Sequence, residues 1–277
     1  MKRYFLLFSL FLLAQTTLQA QQKQVTQAIV STTINVIAPE EEEQNNPGTG
    51  GGRMNFATMF DGEMKCTTWL KDDMVKTLLK SDVLKSTIIR NNSTKLTTTM
   101  VEAMGNKFGF YVTDSEQVEI KRKQDSIWQS KRKDSAASRT EPVVDIVDAG
   151  ETKKIAGYQC KKVYLVTTRI LGFKDTALVW YTPDIKLKNI HSTGGVSAFG
   201  NMGGMGTLNG LDKIDGFVMR YEISMRRNRR MEVEVTKIDL AKEIADKEFD
   251  IPKDFDVKPI KEMQNMFGGR GGPFGRP

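Results

Sequence analysis

Short runs of β-branched and aromatic residues, separated by turn residues, recur along most of the chain. Five such runs follow one another at 64–70, 74–79, 84–89, 95–101 and 108–113. Runs of about six residues between Asp, Asn and Gly turns are typical of an antiparallel sheet. Leu70, Met74 and Leu78 also stand at helical spacing within 69–84, but the surrounding threonines and the Asp72-Asp73 break favour strands. The pattern predicts a β-meander.

The same pattern continues on both sides of this meander. A first strand is expected over 25–38, where Pro39 ends it, and another over 143–147. Two apolar runs, 151–166 and 177–183, are joined by a turn near 172–175 and predict a hairpin near the centre of the sheet. A last hairpin joins 217–225 to 231–240. The predicted fold is therefore mainly β.

Composition divides the chain into one domain, three flexible loops and a tail. We expect a single β-sheet domain over 21–260, with flexible loops at 39–61, 115–140 and 190–213, where acidic, basic or glycine-rich sequence replaces the strand pattern. Residues 261–277 are rich in Gly, Arg and Pro and are expected to be disordered. Within the second loop, 115–139 has two interpretations: a mobile excursion, or a charged helix laid across the sheet by Ile120, Ile127 and Trp128.

The first 20 residues have the pattern of a cleaved signal peptide. Lys2 and Arg3 precede an apolar run over 4–14, and residues 18–20 (Leu-Gln-Ala) suit cleavage before Gln21. The run is too short to span a bilayer, which takes about 20 apolar residues, and no later stretch approaches that length. The sequence therefore predicts a periplasmic or secreted protein that is not transmembrane.

Basic residues exceed acidic ones, giving a formal net charge of +7 at pH 7. Export argues against a nucleic-acid partner, so an anionic envelope polymer is the partner that this charge suggests. A solvated charged face is the alternative explanation. The candidate basic surface residues lie in 115–139 and at the tip of the last hairpin: Lys121, Arg122, Lys131, Arg132, Arg226, Arg227, Arg229 and Arg230.

The two cysteines, Cys66 and Cys160, leave two alternatives open. An even count in an exported protein suggests a disulfide. Because the loop between them is long, a bridge would stabilise the fold by up to about 4–5 kcal/mol in the chain-entropy model. The other alternative is two buried thiols on different strands.

The residues that usually carry catalysis or metal binding are scarce. His191 is the sole histidine, so the usual zinc sites and a nucleophile triad are not expected. The neighbours of Cys160 do not form a disulfide-exchange motif, and the Asp72-Asp73 pair lies in a turn, where solvation explains it. The sequence thus predicts a non-enzymatic protein with no metal and no cofactor.

Two stretches carry a likeness to a known family. One runs from 62–65 (Gly-Glu-Met-Lys) to 106–111 (Asn-Lys-Phe-Gly-Phe-Tyr), and the other from 155–162 (Ile-Ala-Gly-Tyr-Gln-Cys-Lys-Lys) to 179–183 (Val-Trp-Tyr-Thr-Pro). They resemble exported proteins of the domain-of-unknown-function family 4412 and of the related "GLPGLI" family. Residues 210–217 occupy the place of the Gly-Leu-Pro-Gly signature but depart from it.

The resemblance implies a strongly curved antiparallel sheet, or half-barrel, with helical cover around an apolar hollow, as in periplasmic lipoprotein carriers. It brings no catalytic residue. We therefore expect an envelope protein that binds a lipid or a lipidated protein in the curved sheet. A structural or assembly module that binds anionic envelope components is the alternative. The candidate lining residues are the aromatic ones of the predicted strands: Trp69, Phe108, Phe110, Trp180 and Tyr181.

Overall fold

The computed structural model describes residues 24–37, 62–103, 105–131, 143–168, 174–187, 208, 210–224 and 228–263. These residues form fourteen strands, one α-helix and short 3-10 turns. The strands are β1 (Gln24–Val25), β2 (Gln27–Ile37), β3 (Gly62–Lys71), β4 (Met74–Lys80), β5 (Leu84–Asn91), β6 (Leu96–Ala103), β7 (Asn106–Thr113), β8 (Val143–Ile155), β9 (Tyr158–Thr168), β10 (Lys174–Thr182), β11 (Lys186–Leu187), β12 (Phe217–Ser224), β13 (Arg230–Asp239) and β14 (Val257–Pro259). The α-helix, α1, is Asp114–Lys131.

Twelve of the strands form one large, curved and open sheet. Their order is β14-β7-β6-β5-β4-β3-β2-β13-β12-β10-β9-β8, and neighbours are antiparallel except for β14, which runs parallel to β7. The short strands β1 and β11 pair in parallel beside this sheet. The prediction of a mainly β protein built on a curved antiparallel sheet is confirmed.

The predicted meander corresponds to β3–β7, each strand pairing with the next along the chain. The helical alternative for 69–84 is wrong, because β3 and β4 are strands joined by a tight turn at Asp72, whose φ is 51°. Aspartate tolerates this left-handed conformation better than most residues do. The strand propensity of the threonines on both sides outweighed the helical spacing of the leucines.

The region between 143 and 183 contains the predicted hairpin, as β9 and β10, but differs from the prediction in two respects. Residues 151–166 form two strands, because the chain turns at Ala156-Gly157, where φ is 47° and 88°. Two residues with positive φ make the tight connection that an antiparallel hairpin prefers. Moreover, β8 is the last strand of the sheet and β9 its neighbour, so these strands lie at an edge of the sheet and not at its centre.

Residues 114–131 form a helix rather than part of a flexible loop. Glu116 Oε2 accepts hydrogen bonds from the backbone N–H and the hydroxyl of Thr113, and Glu116 N–H donates back to Thr113 Oγ1. This reciprocal capping starts α1 at the end of β7. Val118 on this helix is 68% exposed, and Ile120 is half-buried. The helical interpretation is therefore correct for these residues, while the side chains of Ile127 and Trp128 lie outside the described part.

The core divides into two apolar clusters at opposite ends of the strands. The larger cluster joins the two halves of the sheet, with Leu84 and Val101 on one side and Val144 and Leu165 on the other. The second collects Ala28, Leu70, Cys160, Trp180 and Ile185 at the end where β1 and β11 pair. The curvature of the sheet thus serves to enclose one of its own faces.

Residues 240–263, called the C-terminal segment here, cross the other face of the sheet. The Nζ atoms of three lysines hold it: Lys71 donates to Ile244 O at 2.9 Å, Lys76 to Glu248 O at 2.6 Å, and Lys107 to Asp254 Oδ2 at 2.5 Å. The segment ends in β14 and a helical turn over 260–263, where Met263 is buried. The ordered domain therefore extends at least three residues beyond the predicted boundary at 260.

Several predicted features lie outside the described residues. These are the signal peptide at 1–20, the loop at 39–61, the part of the loop at 190–213 that precedes residue 208, and the tail from 264 onward. Of the third loop, Leu211–Lys213 forms a 3-10 turn. Among the helices that the structure describes, none is long and apolar enough to cross a membrane.

Candidate ligand-binding face of the curved sheet

Strand register assigns each side chain to one of the two faces of the sheet. One row of neighbouring residues, across five strands, is Val179, Tyr221, Val233, Ile34 and Met64. All five are no more than 4% exposed and belong to the larger apolar cluster. We call this the inner face, since it is the one that the sheet encloses.

The adjacent row, one residue further along each strand, is polar. It consists of Trp180, Arg220, Glu234, Thr33 and Lys65. We call this the outer face. Because side chains alternate along a strand, a candidate residue away from a register shift can be placed on one face or the other. The pairing of β10 with β12 shifts between Trp180 and Tyr181.

Three of the five predicted lining residues lie on the inner face. Phe108 and Phe110 on β7 are cross-strand neighbours of Val101 and Thr99, and Tyr181 on β10 shares a face with Val179. Each of the three aromatic side chains is half-buried. Phe108 and Tyr181 pack against the larger cluster from its margin. These residues are part of the inner face, as the prediction requires.

Trp69 lies on the outer face by strand parity. Trp180 is buried in the second apolar cluster, so neither tryptophan lies at the half-buried margin of the inner face. Trp69 is half-buried with Lys76 Nζ 5.3 Å from its ring centroid. Trp180 is 8% exposed, and Lys153 Nζ lies 4.5 Å from its centroid. Cation–π contacts of this kind stabilise an aromatic side chain at a polar surface. The sequence suggested a lining role from residue type, whereas the parity of each strand decides the face.

The centre of the inner face is closed to solvent. Five hydroxyl side chains on adjacent strands are at most 5% exposed: Thr32, Thr68, Thr77, Ser86 and Thr99. The Oγ1 atoms of Thr68 and Thr77 share a hydrogen bond of 3.2 Å. Ser86 Oγ is fully buried, and no hydrogen-bond partner is found for it among the described residues. The accessible aromatic surface of the inner face therefore lies at its half-buried margin, where Phe108, Phe110 and Tyr181 are found.

The predicted basic residues fall into three groups. Lys121 and Arg122 are exposed on α1. Arg229 is 7% exposed, so it does not belong to a solvated tip, and Arg230 is held by ion pairs to Glu222 and Glu232. The side chain of Lys131 and all of Arg132, Arg226 and Arg227 lie outside the described part of the chain.

Arg230 belongs to a larger charge network on the outer face. Arg220 donates to Glu222 at 2.7 Å and to Glu234 at 2.9 Å. Although burial opposes the charge on Arg220, these carboxylates raise its pKa above the ordinary value. Because the cations and anions of this network already neutralise one another, it does not favour binding of an external anion. Among the described residues, α1 therefore remains the candidate for an anion-binding basic surface.

Cys66 and Cys160 are both buried thiols, and the disulfide alternative is not realised in the structure. Cys66 packs in the larger cluster and Cys160 in the second one. Burial raises the pKa of the Cys66 thiol to about 12, and burial likewise raises the pKa of Cys160. Thiols of this kind are unreactive, which argues for a packing role.

The exposed apolar edge of β8 was not predicted from the sequence. Val143, Ile146 and Val147 are 60%, 40% and 49% exposed there. The sequence 143–148 (Val-Val-Asp-Ile-Val-Asp) carries apolar residues that point to both faces of the strand. Only the sheet order shows that β8 has a single strand neighbour among the described residues. No group of His, Cys, Asp or Glu residues suited to a metal ion occurs within the described ranges.

Comparison with known proteins gives a family and distant structural likenesses. The chain is similar to two structures, described as "Structure of PNGF-II in P21 space group" and "Structure of PNGF-II in C2 space group", at 14% and 16% sequence identity. Each has a TM-score of 0.38 and covers 86% of this chain, but the chain spans only 33% and 32% of those chains. No curated protein matches the sequence.

The family model described as Domain of unknown function (DUF4412) matches residues 51–255. That range takes in β3–β13 and the C-terminal segment as far as residue 255. The likeness to periplasmic lipoprotein carriers stays a prediction. The match covers most of the chain, and the protein thus belongs to the DUF4412 family.

Proposed function

We propose that the protein is an exported, non-enzymatic binding protein that holds an apolar or amphipathic ligand, such as an acyl chain, against the inner face of its curved sheet. The observation that carries the proposal is the contrast within that face. Its centre is closed, while Phe108, Phe110 and Tyr181 at the margin stay half-buried. Aromatic side chains offer large apolar areas, so their remaining exposed surface favours contact with an acyl chain.

The charge distribution also favours the inner face as the one that binds an apolar ligand. The outer face carries ion pairs such as Lys85–Glu102 and Lys162–Glu151, whereas the centre of the inner face is apolar apart from its small hydroxyl groups. An acyl chain gains free energy in proportion to the apolar area that it removes from water. Export is the part of the proposal that rests on residues 1–20, whose pattern is that of a signal peptide.

Native mass spectrometry of the protein purified from a bacterial periplasm tests this proposal. The proposal is supported if the measured mass is that of a chain beginning at Gln21 and carries an adduct that chloroform–methanol extraction identifies as lipid. Binding of a fluorescent hexadecanoic acid analogue gives the affinity. Absence of an adduct together with no binding of the fatty acid at millimolar concentration overturns the ligand proposal, and an uncleaved mass overturns export.

Two matched variants locate the ligand. Phe110→Ser removes a half-buried aromatic side chain from the inner face, and Trp69→Ser removes one from the outer face. Loss of an aromatic contact should weaken binding of the fatty acid about tenfold in the first variant, since about 1.4 kcal/mol corresponds to that factor. The second variant should bind as the wild type does. Equal weakening in both would show that the loss follows from stability and not from contact.

A second candidate function is binding of an anionic envelope polymer through α1. The observation that favours it is the exposure of Lys121 and Arg122 on α1. Such binding weakens steeply with ionic strength, because the Debye length falls from about 10 Å at 0.1 M salt to about 3 Å at 1 M. Retention on a heparin column that is abolished by Lys121→Glu with Arg122→Glu would favour this candidate. Salt-independent fatty-acid binding would favour the first.

A further inference from the structure

The outermost strand at one end of the sheet, β8, has a single strand neighbour among the described residues, namely β9. The N–H and C=O groups that β8 turns away from β9 are therefore not used in the sheet. An open strand edge is a template for pairing with another chain, and many proteins protect such edges. The two ends of β8 show protection of this kind, but its middle does not.

Two devices limit the open part of the edge. At the N-terminal end, Lys213 Nζ donates to the carbonyl oxygen of Val144 at 3.2 Å, so this edge carbonyl already has a partner. At the other end, the register with β9 shifts between Asp148 and Thr152, and Gly150 has a φ of 71°. Such a bulge bends a strand away from regular pairing. Within the part of the chain that the structure describes, residues 145–148 remain as an open window of four residues, about 13 Å long.

The side chains of this window are unusual for a protected edge. Ile146 is 40% exposed on the inner face and Val147 is 49% exposed on the outer face. Both are therefore exposed apolar residues, on opposite sides of the same short strand. A strand laid against the window would cover part of each, in addition to pairing with the backbone.

The acidic residues of the window determine which kind of polypeptide strand it favours. Asp145 is exposed on the outer face and has no ion pair within the described residues, and Asp148 is exposed two residues after Ile146. A second copy of this chain that paired its own window antiparallel about a two-fold axis at Ile146 would place its Asp145 diagonally across from the first Asp145, on the same outer face. Like charges at such separations are destabilising. A strand with lysine or arginine residues would instead place a cation beside Asp145.

We propose that the window at residues 145–148 of β8 binds an extended, basic segment of another polypeptide by strand addition. Backbone hydrogen bonds supply affinity, as they do wherever a peptide extends a sheet. Asp145 selects a cation on the outer face, and Ile146 selects an apolar residue on the inner face. This site is separate from the half-buried aromatic margin, so the two proposals stand or fall independently.

The test uses the full mature chain and a seven-residue fluorescent peptide of alternating lysine and valine. One control peptide has glutamate in place of lysine, and another has N-methyl groups on alternate backbone nitrogens, which remove the hydrogen bonds of one edge. Fluorescence anisotropy at low salt should show binding of the first peptide, with each control weaker by about tenfold or more. Hydrogen exchange should show new protection confined to the amides of β8.

Two protein variants complete the design. Asp145→Lys reverses the charge of the window, and Asp82→Lys makes the same change at an exposed acid in the turn before β5. The first should lower affinity about tenfold and the second should leave it unchanged. The proposal is overturned if the N-methylated peptide binds equally well, if protection appears elsewhere, or if the lysine peptide does not bind at about 1 mM. Because the peptide controls leave the protein intact, they decide the question even if a variant unfolds.

Discussion

The guanidinium of Arg90 on β5 donates two parallel hydrogen bonds to the carboxylate of Asp114, the first residue of α1, at 2.5 and 2.7 Å. Arg90 also donates to Asn92 Oδ1 and Thr97 Oγ1, so its orientation is fixed from the sheet side. The pair fastens the start of α1 to the sheet. The fork geometry of arginine suits a carboxylate that must be held in one orientation.

Removal of this pair should loosen α1. Asp114→Asn keeps the size of the side chain but loses the charge-assisted bonds, and because Asp114 is 41% exposed we expect a loss of about 1 kcal/mol in unfolding free energy. Urea unfolding, followed by circular dichroism, measures it. Glu119→Gln is the matched control, since its ion pair with Lys123 is exposed and lies within the helix. An equal loss in both variants would contradict the fastening role of Arg90.

Stability should decline in acid through the carboxylates at this junction. The hydrogen bonds from Arg90 lower the pKa of Asp114 below its ordinary 3.8, and those from Thr113 lower the pKa of Glu116 below its ordinary 4.5. A depressed folded-state pKa contributes stability that is full above the unfolded value and is lost as pH falls through the folded one. We therefore expect unfolding free energy to fall below pH 4.5. Asp114→Asn should show a shallower decline than the wild type in urea titrations between neutral pH and about pH 3.

The C-terminal segment depends on a glycine in β7. A Cβ atom at Gly109 would lie 2.8 Å from Val257 Cγ2 on β14, closer than such atoms approach in proteins. Gly109→Ala should therefore destabilise the protein by about 1–3 kcal/mol and speed proteolysis of residues 257–263. Val257→Ala in the same chain removes the colliding methyl group and should restore part of the loss. Strict additivity of the two changes in urea unfolding would argue against direct contact.

Removing either of two hydroxyl groups in the centre of the inner face should change stability in opposite directions. Ser86 Oγ is buried and no hydrogen-bond partner is found for it within the described ranges, so Ser86→Ala should be neutral or stabilise by up to about 1 kcal/mol. Thr77→Val removes the bond to Thr68 and should cost about 1 kcal/mol. Thermal unfolding of both variants measures the difference. If Ser86→Ala is the more damaging change, its hydroxyl has a hydrogen-bond partner in solution.

The two thiols should be protected from modification in the native protein. With its pKa raised to about 12 by burial, Cys66 is almost wholly protonated at neutral pH, and thiol reagents require the thiolate. Titration with a chromogenic disulfide reagent should show two reactive groups in urea without reductant, and slow reaction without urea. Zero groups in urea would mean that the exported protein carries a bridge between Cys66 and Cys160.

The pattern of apolar and polar residues determined most strands of this protein, because even a strand of six residues shows the two-residue alternation within its own length. The five runs of the meander were predicted to within about three residues. Turns with Asp, Asn or Gly marked their ends. The division at Ala156-Gly157 was missed because the first turn residue is one that rarely adopts positive φ, so local sequence did not announce the turn.

The candidate site could be predicted only in part. Residue type identified five aromatic side chains, but their face depends on strand pairing, which places Phe110 inside and Trp69 outside. Composition likewise suggested a solvated arginine tip, yet Arg229 is buried. No residue count distinguishes these outcomes, because one step along a strand reverses the direction of the side chain.

What the sequence determined by itself is local: strand-forming runs, the turns between them, the scarcity of catalytic residues and the mainly β class. What only the tertiary structure decided is long-range. It paired β2 with β13, sent the C-terminal segment back across the sheet to β7, and left β8 at an open edge. The physical reason is that strand order follows from burial of one shared face, a property of the whole chain that no single segment encodes.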